Sequence, residues 1–147
     1  MMIKKFTVLL IALCFSVLSS NLVAENSVKT HDKRISLGFT AKEKSEFLSE
    51  MRQMLVSIQG IMMGIGTDDR ELIIKSAKYS GNRMARATAQ SIKDKTPKSF
   101  DEIGGPTHMA FEELVIRAET DDMDTLAEFT GDLMKNCLAC HETFKVD

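Results

Sequence analysis

The sequence predicts an all-α protein, built as an antiparallel up-down-up-down four-helix bundle. Beyond residue 39, apolar residues recur mostly at three- and four-residue steps, the spacing of one buried helix face. No stretch alternates apolar and polar residues for long enough to indicate a sheet. Four amphipathic helices in little more than a hundred residues need short connections, which favours antiparallel neighbours.

The first 24 residues are expected to be a signal peptide. Lys4 and Lys5 precede an apolar run over residues 6–18, and Ala24 offers a small residue for cleavage. The run is shorter than the roughly 20 residues of a membrane span. We therefore expect export and no stable membrane insertion once the signal is removed, with an uncleaved anchor as the alternative.

The remaining chain is mildly acidic. Residues 25–38 are polar and are predicted to be a loose leader, and residues 39–147 are predicted to form the bundle. Without residues 1–24 the chain has 17 basic and 21 acidic side chains, a net charge near −4. This balance speaks against nucleic acid as a partner, because phosphate backbones attract basic proteins.

The first helix is predicted over residues 40–65. Thr40-Ala-Lys-Glu43 has the spacing of a capping box, and Gly64 and Gly66 favour the helix end. Seven apolar residues on one face are expected to point inward: Phe47, Leu48, Met51, Leu55, Ile58, Met62 and Ile65.

The second helix is predicted over residues 69–93, with Asp68-Asp-Arg-Glu71 as another capping-box candidate. Pro97 closes this segment, and residues 93–106, with glycines and a proline near their end, are predicted to be a connection. The expected inward residues are Leu72, Ile73, Ala77, Met84, Ala87 and Ile92.

Two further helices are predicted over residues 107–120 and 122–145. Thr107 is a candidate cap for the third helix and Asp121 or Asp122 for the fourth, and His108 is expected to be a surface or capping residue. The inward set of the third helix is Phe111, Leu114, Val115 and Ala118, and that of the fourth is Leu126, Phe129, Leu133, Cys137, His141 and Phe144.

Cys137-Leu-Ala-Cys140-His141 is a C-x-x-C-H sequence, the pattern of covalent c-type haem attachment. Positions i, i+3 and i+4 share one helix face, so two thiols can reach the two vinyl groups of one haem while the imidazole lies beneath the iron. Haem attachment takes place outside the cytoplasm, which suits the export signal. We expect one covalent haem c per chain, with His141 as the proximal ligand of the iron.

Two other chemistries remain open for these cysteines. A thiol redox site of the C-x-x-C type is expected near the start of a helix in a βαβ unit, whereas this motif lies at the end of a helical chain. A zinc site would need a fourth ligand, such as His108 or a carboxylate.

A C-x-x-C-H motif in the last helix of an exported four-helix domain resembles the class II c-type cytochromes, the cytochrome c′ family. Residues 142–145 match the way the family continues the motif, with an aromatic and a basic residue, here Phe144 and Lys145. Arg52 and Gln53 match the Arg-Gln pair of the family's first helix. Bundles of this kind include cytochrome c′.

The resemblance implies one of two functions. In one branch of the family a methionine of the first helix ligates the iron and the protein carries electrons. In the other the iron is five-coordinate beneath an apolar side chain and binds small gases such as nitric oxide. Met51, on the inward face, is the expected ligand, whereas counting from Arg52 would place Val56 there. Core packing is the alternative role for Met51, and Met54 or Met62 is then the alternative ligand.

The leading expectation is a periplasmic monohaem electron carrier with His141 and Met51 as axial ligands. Arg52 and Lys145 are expected to face the haem propionates or, equally, to be solvated charges. The expected partners are periplasmic redox proteins and the haem-maturation machinery. Ile61, Met63 and Ile74, off the predicted core stripe, are compatible with a homodimer through the first two helices. Nothing resembles a catalytic domain, so the chain is not expected to be an enzyme, although it could serve a bound oxidoreductase.

Overall fold

A computed structural model describes residues 32–147, which are almost entirely helical. The predicted signal peptide and most of the predicted leader lie outside the described residues. In chain order the elements are β1 (Ile35–Ser36), α1 (Ala41–Thr67), α2 (Arg70–Ser80), α3 (Asn82–Ala87), α4 (Gln90–Lys93), α5 (Lys98–Arg117), α6 (Met123–Thr143) and β2 (Phe144–Lys145). The all-α prediction is confirmed. Within residues 32–147, no helix combines the length and the apolar character that a membrane span requires.

The four long helices contact one another in a ring. Helix α1 packs against α2, α2 against α5, α5 against α6, and α6 against α1. The main core lies among these helices and includes five fully buried side chains: Ile61, Ile73, Phe111, Leu114 and Leu126. A second buried cluster is formed by Leu37, Phe39, Phe47, Ile92 and Phe144.

Helix α1 begins with the predicted capping box. The Thr40 hydroxyl accepts a hydrogen bond from the Glu43 backbone N–H at 3.3 Å, and the Glu43 carboxylate accepts one from the Thr40 N–H at 2.8 Å. The Lys95 ammonium lies 2.6 Å from the same carboxylate. The hydrogen bonds from Lys95 and then Thr40 lower the pKa of Glu43 to about 2. These contacts tie the start of α1 to the segment after α4.

The junction of α1 and α2 differs by one residue from the prediction. Asp69, not Asp68, caps α2, its carboxylate accepting the Leu72 N–H at 2.9 Å. Asp68 ends α1 in the left-handed conformation, at φ 55°. Aspartate tolerates this conformation better than most residues that have a Cβ atom.

The predicted helix over residues 69–93 is wrong as a single element, because the chain breaks at Gly81 and again before Gln90. The Glu112 carboxylate accepts the Asn82 N–H at 2.8 Å and lies directly over Gly81, where a side chain would collide with it. This contact from α5 starts a new helix, which the local sequence does not indicate. Ala87, predicted inward, is consequently exposed.

The predicted connection over residues 93–106 is also wrong in its second half. Helix α5 starts at Lys98 and runs through Gly104, Gly105 and Pro106. Its apolar face continues backward from Phe111 through Thr107 and Ile103 to Phe100, at three- and four-residue steps. Packing along this face outweighs the helix-breaking tendency of proline and glycine.

The buried face of α1 is rotated relative to the prediction. Leu55 and Met62, expected inward, are 68% and 47% exposed, whereas Ile61 is fully buried. The reason is the close approach of α1 to α2 at Gly60 and Gly64, which turns the glycine-bearing face toward the core. Ile61 is therefore not available for the dimer surface that the sequence suggested.

Two short strands pair beside this core. Strand β1 pairs in parallel with β2, in the register Ile35 with Phe144 and Ser36 with Lys145. Leu37, which follows β1, is buried. The last residues of the predicted leader thus belong to the folded unit.

At the start of α6, Asp122 rather than Asp121 is the cap, and its carboxylate accepts the Thr125 N–H at 2.8 Å.

Candidate functional site

A cleft of about 710 Å³ lies beside the C-x-x-C-H motif. Helices α1, α5 and α6 line it, together with the segment that runs from α3 to the start of α5. Its volume falls within the roughly 300–1,000 Å³ of typical small-molecule and cofactor sites. The lining is largely apolar and includes Phe47, Leu48, Ile58, Phe100 and Ile103.

Helix α6 presents the whole motif to this cleft. Cys137, Cys140 and His141 all border it, as the i, i+3, i+4 spacing predicts. Both cysteines are free thiols and half-buried, whereas His141 is exposed. The Arg34 guanidinium donates a hydrogen bond to the His141 carbonyl oxygen at 3.3 Å, which connects the segment before β1 to the motif.

The thiols are held in the protonated form. Burial raises the pKa of Cys137, and burial together with the neighbouring Cys137 raises that of Cys140. Reactive redox cysteines show the opposite shift, because the thiolate is the nucleophile. The direction of the pKa shift of both thiols is therefore opposite to that of a thiol-exchange centre.

The zinc alternative finds no ligand set in the described part of the chain. No group of three or more His, Cys, Asp or Glu side chains within residues 32–147 is arranged to hold a metal ion. His108, named above as a possible fourth zinc ligand, lies elsewhere on the cleft wall, on α5.

Helix α1 brings Met51 to the same cleft. Met51 is half-buried and packs against the second apolar cluster, which Cys140 also contacts. Val56, the alternative register counted from Arg52, is 65% exposed and does not border the cleft. Met54, an alternative ligand, and Leu55, expected on the inward face, also border it. Eight positions of α1 thus border the cleft that the motif also borders, and Met51 is among them.

Only one of the two basic residues predicted for the site borders the cleft. Arg52 borders the cleft, whereas Lys145 does not; its ammonium lies 3.1 Å from the Asp147 carboxylate. Lys93, at the end of α4, borders the cleft instead. No pattern in the sequence marked Lys93, because the break before α4 that brings it there depends on tertiary contacts.

One wall of the cleft is polar and was not anticipated. The Thr88 hydroxyl donates to the Glu50 carboxylate at 3.1 Å, and burial raises the pKa of Glu50. His108 is half-buried in this wall, with Nδ1 2.7 Å from the Ser80 carbonyl oxygen. The position of His108 in the cleft could have been predicted by extending the third helix back to residue 98. Asp101, Gly104 and His108 then follow one another along one helix face.

Comparison of the chain with protein-family models, with curated proteins and with solved structures finds no match. The function must therefore be inferred from the site. Its donors are two protonated thiols and an imidazole on one face of α6, facing a largely apolar cleft that also contains the Met51 thioether. This donor set suits a flat apolar group attached through two thioethers and ligated by imidazole, as a c-type haem is.

Proposed function

We propose that the protein is a periplasmic monohaem class II c-type cytochrome that carries electrons. The observation that carries the proposal is that both thiols of the motif and His141 border one apolar cleft, with Met51 of α1 on the same cleft. The ring of contacts among α1, α2, α5 and α6 supports the antiparallel four-helix bundle of such cytochromes. Residues 1–24 support export to the periplasm.

Several residues of the cleft have a role in this proposal. A bound haem supplies a single iron that exchanges one electron. Cys137 and Cys140 would hold it covalently, and His141 and Met51 would ligate its iron. A thioether favours ferrous iron and so raises the reduction potential. The apolar side chains of Phe47 and Phe100 keep water away from the group, which tunes the potential further.

The charges at the cleft suggest where the haem carboxylates lie. Arg52 and Lys93 both border the cleft and can offset the two propionates.

Periplasmic redox proteins are the proposed partners, and the haem-maturation machinery is the proposed source of the thioether bonds. A homodimer through α1 and α2 is also proposed, with the exposed Met63 as part of its surface. We propose no enzymatic activity for the chain alone.

A gas-binding cytochrome c′ is the second candidate. Its supporting observation is that Met54 and Leu55 border the cleft next to Met51. If none of these side chains ligates the iron, they would cover an open coordination position with apolar groups, as in the five-coordinate branch of the family.

Covalent haem attachment is the first test. The chain is co-expressed with haem-maturation proteins, and denatured protein is stained for haem on a gel. We expect stain in the wild type and in Leu138→Ala, a control whose side chain lies between the cysteines and is 64% exposed. We expect none in the Cys137→Ala/Cys140→Ala double variant. Covalent haem in the double variant, or none in the wild type, would refute the proposal.

The sixth ligand is the second test. Met51→Leu and Met54→Leu conserve side-chain volume, and such exchanges usually cost less than about 1.5 kcal/mol. If Met51 ligates the iron, Met51→Leu abolishes the weak red absorption band of methionine-bound ferric iron, and Met54→Leu retains it. A wild type without this band that binds carbon monoxide rapidly would favour the gas-binding candidate.

A further inference from the structure

The cleft contains a second group that can bind a metal ion, the imidazole of His108. The ring is half-buried and borders the cleft from α5. Its Nδ1 atom lies 2.7 Å from the Ser80 carbonyl oxygen. A carbonyl oxygen accepts hydrogen bonds and donates none, so Nδ1 carries a proton. The neutral ring therefore has its lone pair on Nε2.

The Nε2 atom belongs to a ring that borders the cleft. It has no hydrogen-bond partner within residues 32–147. No buried side-chain nitrogen or oxygen in the described residues lacks a partner, so this unpaired nitrogen must be accessible. A neutral Nε2 cannot donate a hydrogen bond, and its remaining chemistry is to accept one or to bind a metal.

The backbone contact also holds the ring in place. Histidines that ligate metals almost always donate their other N–H to a carbonyl or carboxylate, which fixes the tautomer and the ring orientation. Here the acceptor belongs to Ser80, which is fully buried and whose hydroxyl donates to the Ser57 hydroxyl at 2.8 Å. The carbonyl that orients His108 is therefore itself part of the packed interface between α1 and α2.

We propose that His108 is a reserve axial ligand, whose Nε2 binds the haem iron when the Met51 sulfur is not bound. The inference rests on the proposed function, because it requires a haem in the cleft. In the exchange one iron–sulfur bond breaks and one iron–nitrogen bond forms. No electron is transferred, and a proton carried by Nε2 before the exchange would pass to solvent. Imidazole is a harder donor than a thioether, so the exchange favours ferric iron and lowers the potential.

The test compares the ferric Met51→Ala and Met51→Ala/His108→Asn holoproteins by absorption and electron paramagnetic resonance. The asparagine amide can still donate to the Ser80 carbonyl, but it has no counterpart of Nε2, which makes it a matched control. We expect Met51→Ala to stay predominantly low-spin, with the spectrum of two imidazole ligands and without the red band. We expect the double variant to become predominantly high-spin, and added imidazole to return it to low-spin.

Three results would overturn the inference. The first is a high-spin Met51→Ala protein, which needs no second variant to interpret. The second is a low-spin double variant that shows the same spectrum as Met51→Ala. The third is a denatured wild-type protein that does not stain for haem, which would remove the proposed function as well. Staining of the same samples thus separates a failure of the reserve ligand from a failure of the cytochrome assignment.

Discussion

Replacing Gly64 by alanine tests the close approach of α1 to α2, on which the position of the cleft wall depends. A Cβ atom at Gly64 would lie 2.6 Å from Cγ1 of Ile73, 2.8 Å from the Asp69 carbonyl oxygen and 3.0 Å from the Ile73 backbone nitrogen. Unstrained contacts between such atoms are about 3.5–4.0 Å. Two of the three neighbours are backbone atoms of a capped helix start, and Ile73 is fully buried. None of them can move away easily.

Gly66 offers a control in the same helix end, because a Cβ atom there would meet nothing within 4 Å. Glycine to alanine in a helix is favourable by about 0.5–1 kcal/mol, and this gain is common to both positions. The difference between Gly64→Ala and Gly66→Ala therefore isolates the steric cost, about 1–3 kcal/mol for overpacking. We expect Gly66→Ala to be slightly more stable than the wild type and Gly64→Ala less stable.

The free energy of unfolding is measured by urea titration, followed by the helical circular dichroism signal. The two variants and the wild type should have the same slope against urea, so that a shifted midpoint reports stability alone. If Gly64→Ala were as stable as Gly66→Ala, α1 and α2 would not approach as closely as the structure shows. The rotated core face of α1 would then lose its explanation.

Three further predictions concern the start of α1 and the motif. Thr40→Ala should lower the free energy of unfolding by about 0.5–2 kcal/mol in the same urea assay, because the first turn loses its cap; an unchanged value would contradict the capping box. Because the pKa of Glu43 falls from the ordinary 4.5 to about 2 on folding, its stabilising contribution is present above pH 4.5 and is lost as the pH falls toward 2. Glu43→Gln should therefore weaken the dependence of the melting temperature on pH over this interval, and an unaltered dependence would contradict it. In protein without haem, burial raises the pKa of Cys137 and Cys140, so alkylation by iodoacetamide at pH 8 should be slower than in urea-unfolded protein; equal rates would show that the thiols are not held in the cleft wall.

The sequence predicted correctly those features that depend only on residues close together in the chain. The capping box at Thr40 works within four residues, and the structure forms it as predicted. The C-x-x-C-H spacing places its three side chains on one helix face through helix geometry alone, and all three border the cleft. The apolar periodicity also identified the all-α class and most of the buried face of α5. None of these features requires knowledge of what packs against the helix.

Tertiary contacts decided the rest, because residues distant in the chain determine which local preference prevails. Glu112 ends the helix before Gly81 from 30 residues away, and the apolar face from Phe100 to Phe111 carries α5 through Pro106. Glycine is neither clearly apolar nor clearly polar. The apolar pattern therefore did not reveal the contact at Gly64, which buries Ile61. The sequence by itself determined which donors the motif offers, since two thiols and an imidazole lie on one helix face. The packing of α2 against α5 decided that His108 borders the same cleft. It also brought the ring to the Ser80 carbonyl, 28 residues earlier in the chain, which sets its tautomer.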